Sequence, residues 1–400
     1  MRDSSSRNIT RAKHFLLNPK QTLYDLARYL FRRLPSFVQD RMEAPARNVV
    51  QKLRKLRFST IKGPQNLFAD IAERFYVPEK FVRLYCEQGY GSIDWSKSNW
   101  PDFLENLPPL QKLSVPFAMS TVMRGQNMLL LLESHLCIRK KNRYLDVGTG
   151  YGGFLRAASK MGFKEVIGIE LQPLLVELAK ANIDELRGAQ VLIGDFVTED
   201  FSSLGQFDLI TCNDVIEHVD DPALAIQKMT SLANEDGCIS FEVPNRDAIQ
   251  FVKSDGHFLI FGITQLAKND AAEYYSAYTG ADKSEYHFEM GEMYGLDWYF
   301  GKLKENGWLA FIADTHSLGG IEDALDQLAD LKKAYQEWQK VTKPRLDVDV
   351  AQHVASAVDK YILDLEQDLM DLGNDSSKAQ FKNKYLRSFW TIIATKDHHK

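Results

Sequence analysis

An apolar strand, Tyr144-Leu145-Asp146-Val147, runs directly into the turn Gly148-Thr149-Gly150-Tyr151-Gly152-Gly153 and then into a helix opening with Phe154-Leu155. Strand, glycine-rich turn and helix in that order begin a unit whose next strand returns parallel to the first. The glycines allow positive φ and let the backbone approach a ligand closely. Gly148, Gly150 and Gly153 also satisfy GxGxxG, so the turn alone leaves a dinucleotide site open.

The surrounding pattern narrows the choice. Apolar, β-rich runs recur at Tyr144–Val147, Val166–Glu170, Val191–Ile193, Asp208–Cys212, Cys238–Val243, Leu309–Ala313 and Phe389–Thr395. Those from 142 to 313 alternate with helical segments, and the last closes the same sheet near the C-terminus. The expected fold is therefore α/β and Rossmann-like, with seven strands. Asp146 stands two residues before the first glycine, where a carboxylate can face an ammonium group and would repel a pyrophosphate. Glu170 ends the second strand, placed to accept hydrogen bonds from both hydroxyls of a ribose. Asp195 and Phe196 follow the third strand, a carboxylate for an adenine amino group and a ring for its face. Asn213 closes the fourth strand.

With these motifs in order, residues 142–313 and the final strand resemble class I S-adenosylmethionine-dependent methyltransferases. The resemblance implies that S-adenosylmethionine is the cofactor. It implies that Asp146, Gly148, Gly150 and Gly152 lie at its methionine part, Glu170 at its ribose and Asp195 with Phe196 at its adenine, with Asn213 also in the cofactor site. The run from Asp214 to Pro222, Val243-Pro244-Asn245 after the fifth strand, and the stretch from His287-Phe288 to Asn306-Gly307-Trp308 are similar to the subgroup containing ubiquinone-pathway O-methyltransferases.

Methyl transfer asks mainly for alignment, and an oxygen or nitrogen acceptor also needs a base. His218, just past the fourth strand, and His257, in Asp255-Gly256-His257-Phe258, are the candidate catalytic residues, with His287 a third. If a helix starts early after the fourth strand, Asp214, Glu217 and His218 share a face at i, i+3, i+4, a spacing that suits a divalent metal. No further histidine follows closely, and no metal is expected.

The chain divides into a helical region at 1–140, a methyltransferase domain at 141–318 and 374–400 with an insertion at 246–300, and a helical hairpin at 319–373. The insertion is rich in aromatics (Phe251, Phe258, Phe261, Tyr274, Tyr275, Tyr278, Tyr286, Phe288) and is expected to form a lid over the acceptor site, with some of its rings anchoring it to the body. The hairpin carries Ile321, Leu325, Leu328, Tyr335 and Trp338 on one arm and Val354, Val358, Tyr361, Leu365, Leu369 and Leu372 on the other. Internal packing is favoured for it over a homodimer contact.

Net charge is −5, but residues 1–57 hold fourteen Lys or Arg against four acids. An acidic chain whose basic bias is confined to one end, without a nucleic-acid-binding motif, is not a dedicated DNA or RNA binder. Leu23, Leu26, Leu30 and Leu34 accompany Arg28, Arg32, Arg33 and Arg41, so 19–41 is a candidate for contact with an anionic membrane surface, or a helix covering the domain. Cys86, Cys137, Cys212 and Cys238 form no CxxC pair, which points to a reducing cytoplasm, at most peripheral to the inner face of a membrane. The expected activity is methyl transfer to an oxygen or nitrogen of a small-molecule, sugar-containing or lipid-linked acceptor. The alternatives are an RNA or protein methyltransferase, a non-catalytic cofactor-binding partner, and an oxidoreductase using the same turn.

Overall fold

The computed structural model describes residues 67–89, 99–107, 111–135 and 137–396. The segment 19–41 considered for membrane contact lies outside them. The described residues fall into two compact units: those before 213 together with 232–239, and those of 213–231 with 240–396.

The first unit opens with α1 (Leu67–Phe75), α2 (Glu79–Gly89), α3 (Trp100–Asn106), α4 (Gln111–Met119) and α5 (Thr121–Ser134). Asn99 starts α3 by accepting from the Asp102 amide at 3.0 Å, with Pro101 in the first turn, where no amide hydrogen is needed. Ile71, Phe81, Val82, Phe103, Val115 and Val122 bury their side chains together. Leu178 and Ala181 of a later helix join them, with Tyr151 from the glycine turn packed against the cluster. These helices thus brace the back of that turn.

The β/α part follows as β1 (Arg143–Val147), α6 (Gly153–Met161), β2 (Glu165–Glu170), α7 (Pro173–Ile183), β3 (Ala189–Ile193) and β4 (Phe207–Asn213). β1 pairs in parallel with β2 and with β4, setting Asp146 opposite Gly168 on one side and Thr211 on the other. Such doubly flanked strands read as apolar runs because both faces are covered.

The second unit contains α8 (Pro222–Leu232) as far as Ser231 and the end of β5 (Ala233–Pro244). It continues with α9 (Ile249–Lys253), α10 (Lys268–Thr279), α11 (Lys283–Glu289), α12 (Leu296–Glu305) and β6 (Leu309–Ile312). The hairpin helices α13 (Ala324–Val341) and α14 (Val348–Met370), then α15 (Asp375–Tyr385) and β7 (Phe389–Thr395), complete it. The strands form a seven-stranded sheet in the order β3-β2-β1-β4-β5-β7-β6, with β6 antiparallel to β7. All seven expected strands are present. α15 was not apparent in the sequence, because only Phe381 and Tyr385 give it a buried face.

The hairpin spends its apolar stripe on the insertion. Phe261 stacks on Tyr335 and Trp338 with centroids 5.9 and 6.0 Å apart, and Trp338 Nε1 donates to Tyr274 Oη at 2.7 Å. Tyr274, Tyr275 and Tyr286 are buried with Val354 and Val358 in the same cluster. Most aromatics of the insertion therefore anchor a helical layer, while Tyr278 and Phe288 remain about half exposed. Among the described residues no helix is long and apolar enough to cross a membrane.

Candidate functional site

In the first unit the glycine turn separates into glycines required by packing and one that faces open space. A Cβ on Gly153 would lie 2.2 Å from Thr121 Oγ1, and one on Gly152 would lie 3.0 Å from Ala179. On Gly150, at φ +54°, it would meet nothing nearer than Gly148 O at 4.0 Å. Gly148 and Gly152 also take positive φ, +69° and +72°. The backbone at Gly150 is therefore where a ligand has room to approach.

Asp146 lies beneath this turn. Thr211 Oγ1 donates to its Oδ1 at 2.6 Å and Thr149 Oγ1 to its Oδ2 at 2.8 Å, while the Tyr144 hydroxyl bonds to Thr211. A carboxylate only accepts, so both threonines donate and Tyr144 donates onward to Thr211. What the structure shows of Asp146 is that it fixes the turn to β4 through these hydroxyls. Burial pushes the Asp146 carboxyl up to about 6, against the lowering effect of its hydroxyl donors. Between the usual carboxylate range and pH 6 the folded protein holds this proton and the unfolded chain does not. The group's contribution to stability is thus complete at low pH and is lost as pH rises through 6. Asp146→Asn should abolish this term, so the melting temperature of the variant relative to wild type should rise from pH 4 to pH 7. A constant difference across that range would remove the assignment.

Glu170, at the end of β2, accepts from Gly150 N through Oε2 and from Gln172 N through Oε1, both at 2.9 Å. Burial raises its pKa and the two amides oppose the shift. One side chain thereby ties the open glycine to the start of α7. Beyond β3, Asp195 Oδ1 accepts from Val197 N at 2.8 Å, closing its own turn. Phe196 is buried and stacked beside Phe201 at 6.2 Å.

The second unit holds the other candidates. Asn213 leaves both polar atoms of its buried amide without a hydrogen-bond partner among the described residues. Asp214 follows in the left-handed region, φ +56°, and Ile216–His218 make a single 3-10 turn; α8 begins only at Pro222. Asp214, Glu217 and His218 therefore do not share a helical face, because no helix has yet started there.

The structure instead brings Glu217 and His218 to His257. The two imidazoles meet edge to face with centroids 5.1 Å apart, and His218 Nε2 is 3.9 Å from Oε1 of buried Glu217. His218 Nδ1 lies 2.5 Å from the carbonyl oxygen of Glu289, and the Glu217 carbonyl accepts from Gly291 N at 2.7 Å. Gly291 is confined to glycine: a Cβ there would stand 2.3 Å from Val219 O. His257 sits on a turn caged by buried Asp255, which accepts from the amides of His257, Phe258 and Ile260 at 2.7–2.8 Å. His287, on α11, packs edge-on to Tyr286 and stands outside this group. Sequence reasoning missed the clasp by Glu289 and Gly291, which has no signal beyond a glycine in an aromatic stretch. It also missed Thr149 and Thr211, whose hydroxyls look like ordinary strand and turn residues.

A family model described as a methyltransferase domain matches residues 122–339, more than half of the chain. The ubiquinone biosynthesis O-methyltransferase of Acinetobacter baylyi is 25% identical over 183 residues, covering 44% of this chain and 74% of the relative. Those of Albidiferax ferrireducens and Actinobacillus pleuropneumoniae serotype 5b are 29% and 35% identical, over 30% and 26% of this chain. The matches span only about half the length of these two relatives, 48% and 46%. The glycine turn, the carboxylates ending β1 and β2, the sheet order and the domain match agree, and the chain belongs to the class I S-adenosylmethionine-dependent methyltransferases.

Proposed function

We propose that this chain transfers the methyl group of S-adenosylmethionine to an oxygen of a small-molecule acceptor, with sugar-containing and lipid-linked molecules as the acceptor class. Glu217, His218 and His257 form the acceptor end of the reaction. The observation that carries this reading is the meeting of the two histidines beside a buried carboxylate. Relatives named as O-methyltransferases support oxygen as the acceptor atom.

The cofactor supplies the methyl group and a sulfonium leaving group. Asp146, Gly148, Gly150, Gly152, Glu170, Asp195, Phe196 and Asn213 are the residues assigned to holding it. An acceptor hydroxyl has to lose its proton as its O–C bond forms and the C–S bond breaks, leaving S-adenosylhomocysteine. The Glu289 carbonyl can only accept, so the neutral His218 ring carries its hydrogen on Nδ1 and its lone pair on Nε2. That nitrogen takes the proton, and the Glu217 carboxylate stabilises the imidazolium that results.

The test is S-adenosylhomocysteine formation with a panel of hydroxylated sugars, prenylated phenols and amines, alongside calorimetry of cofactor binding. Hydroxyl acceptors should turn over and matched amines should not. Glu170→Ala should weaken S-adenosylhomocysteine by about 1.5–3 kcal/mol, the worth of a hydrogen bond to a charged group. Turnover confined to amines, or cofactor binding indifferent to Glu170, would defeat the respective assignments.

A further inference from the structure

We infer that Arg246, Asp247, Tyr286 and Tyr294 form a subsite for a sugar ring of the acceptor. Arg246 follows the carboxyl end of β5, the side of an α/β sheet on which ligands bind. Its side chain is 20% exposed and carries five donor hydrogens. Nη1 donates to the Met293 carbonyl at 2.6 Å, Nε stands 3.7 Å from Asp247 Oδ1, beyond hydrogen-bond reach, and Nη2 has no partner among the described residues. The ring of Tyr286 is packed, 5.2 Å from Phe258 beside His257, yet its hydroxyl makes no hydrogen bond among the described residues. Burial holds that hydroxyl above the usual phenol range, with the Arg246 charge opposing the shift, so it stays a donor. A Cβ on Gly295 would meet only Asp247 Oδ2, at 3.8 Å, which leaves that carboxylate open on one side.

Tyr294 supplies a flat face beside these polar groups. It lies 3.8 Å from Trp298 with the planes 8° apart, and buried Tyr299 braces both rings edge-on. Lys302 stands over the other face of Trp298 at 5.9 Å, so Tyr294 presents the outward ring. One segment joins the subsite to the base. From the end of α11, alternate residues meet His218 (Glu289 O), Glu217 (Gly291 N) and Arg246 (Met293 O). Four residues span at most about 14 Å, so both ends of the segment lie within reach of one small molecule. A sugar hydroxyl donates and accepts, while the C–H faces of the ring are apolar. Guanidinium and phenol donors, a carboxylate acceptor and an aromatic face meet each of these needs. A prenylated phenol would leave most of the donors unmade in a part-buried site, at a cost for each. An anionic group would be repelled by Asp247 beside Arg246 and by Glu292 near Tyr286.

The subsite's part in catalysis rests on the reading of Glu217, His218 and His257 as the acceptor end; its affinity for a sugar does not. Saturation-transfer NMR of the full chain, with S-adenosylhomocysteine and methyl glycosides of hexoses and 6-deoxyhexoses, should show saturable binding of at least one glycoside. Tyr286→Phe, which keeps the packed ring, should weaken that glycoside about 3-fold to 10-fold, and Arg246→Gln about 10-fold to 100-fold. Tyr294→Ala should weaken it about 3-fold to 10-fold and Tyr294→Phe should restore it. Tyr278→Phe, half-exposed on α10, should bind as wild type. One monodeoxy glycoside should bind wild type more weakly than its parent, and Tyr286→Phe no differently from it, which a merely structural role of Tyr286 does not produce. In methyl transfer Tyr286→Phe should raise KM and leave kcat within about twofold. No saturable glycoside, or binding indifferent to Tyr286→Phe, Arg246→Gln and Tyr294→Ala alike, overturns the inference. Turnover of phenols by a chain that binds no glycoside refutes this inference alone. Glycoside binding with the expected losses, but no methyl transfer to any hydroxyl, refutes the functional reading alone.

Discussion

Replacing His257 by alanine is expected to lower turnover about 100-fold, the scale of misplacing the acceptor by about 1 Å beside the His218 base, with S-adenosylhomocysteine affinity unchanged within about twofold. The substitution leaves the backbone hydrogen bonds of the turn in place. Asp255 accepts from the backbone amide at 257, and that amide remains in alanine. Phe258, packed between Tyr275 and Tyr286 at 4.8 and 5.2 Å, also keeps its place. His218→Ala is the less selective companion, because it removes the contact with the Glu289 carbonyl and loosens the turn after β4. Kinetics with saturating acceptor, together with calorimetry of S-adenosylhomocysteine, separate the two effects. Full activity of the His257 variant across pH would leave His218 acting without it and give the insertion no chemical role. Loss of cofactor affinity instead would place His257 at the cofactor.

The fold was legible in the sequence wherever burial on both faces makes a strand apolar throughout, as in Phe207–Cys212, or where glycine is the only residue a turn accepts, as at Gly152 and Gly153. The cluster was legible only in pieces. His218 and His257 each stood out, but 38 residues separate them along the chain and nothing local indicates that they meet. Spacing drew attention to Asp214, Glu217 and His218 as one helical face. That inference needs a helix, and the backbone at Asp214 is left-handed, so the chain turns before α8 begins. Periodicity assigns residues to a face only where the element exists.

Aromatic composition was ambiguous in a different way. The tyrosines of 246–300 look the same in sequence whether they line a ligand or anchor a layer, since both uses bury rings. The hairpin decides between them. Tyr274, Tyr275 and Tyr286 are buried in the cluster that also holds Tyr335 and Trp338, so they are spent on packing. Gly262, at φ +75°, marks the close approach: a Cβ there would lie 2.9 Å from Val358 Cγ2.

Trp338→Ala is therefore expected to destabilise the protein by about 3–5 kcal/mol, the cost of emptying a fully packed aromatic site. Three contributions add up in that direction. The indole is 3% exposed, so nearly all of its surface is lost from the core. Phe261 and Tyr335, which stack on it, lose a neighbour. The Tyr274 hydroxyl loses the Nε1 donor it accepts from in a site where water does not replace it. Trp338→Phe retains the ring and loses only the hydrogen bond and part of the volume, and should cost less than half as much. The damage should be local as well as global. The hairpin is what the insertion packs on, so amides of α10 and the segment around Phe261 should exchange faster in Trp338→Ala, whereas those of β1 and β2 keep their protection. Hydrogen exchange read by mass spectrometry distinguishes the two regions. Uniform acceleration over the whole chain would mean that the hairpin and the sheet unfold as one cooperative body. An unchanged melting temperature would mean that the hairpin contributes nothing to holding the insertion.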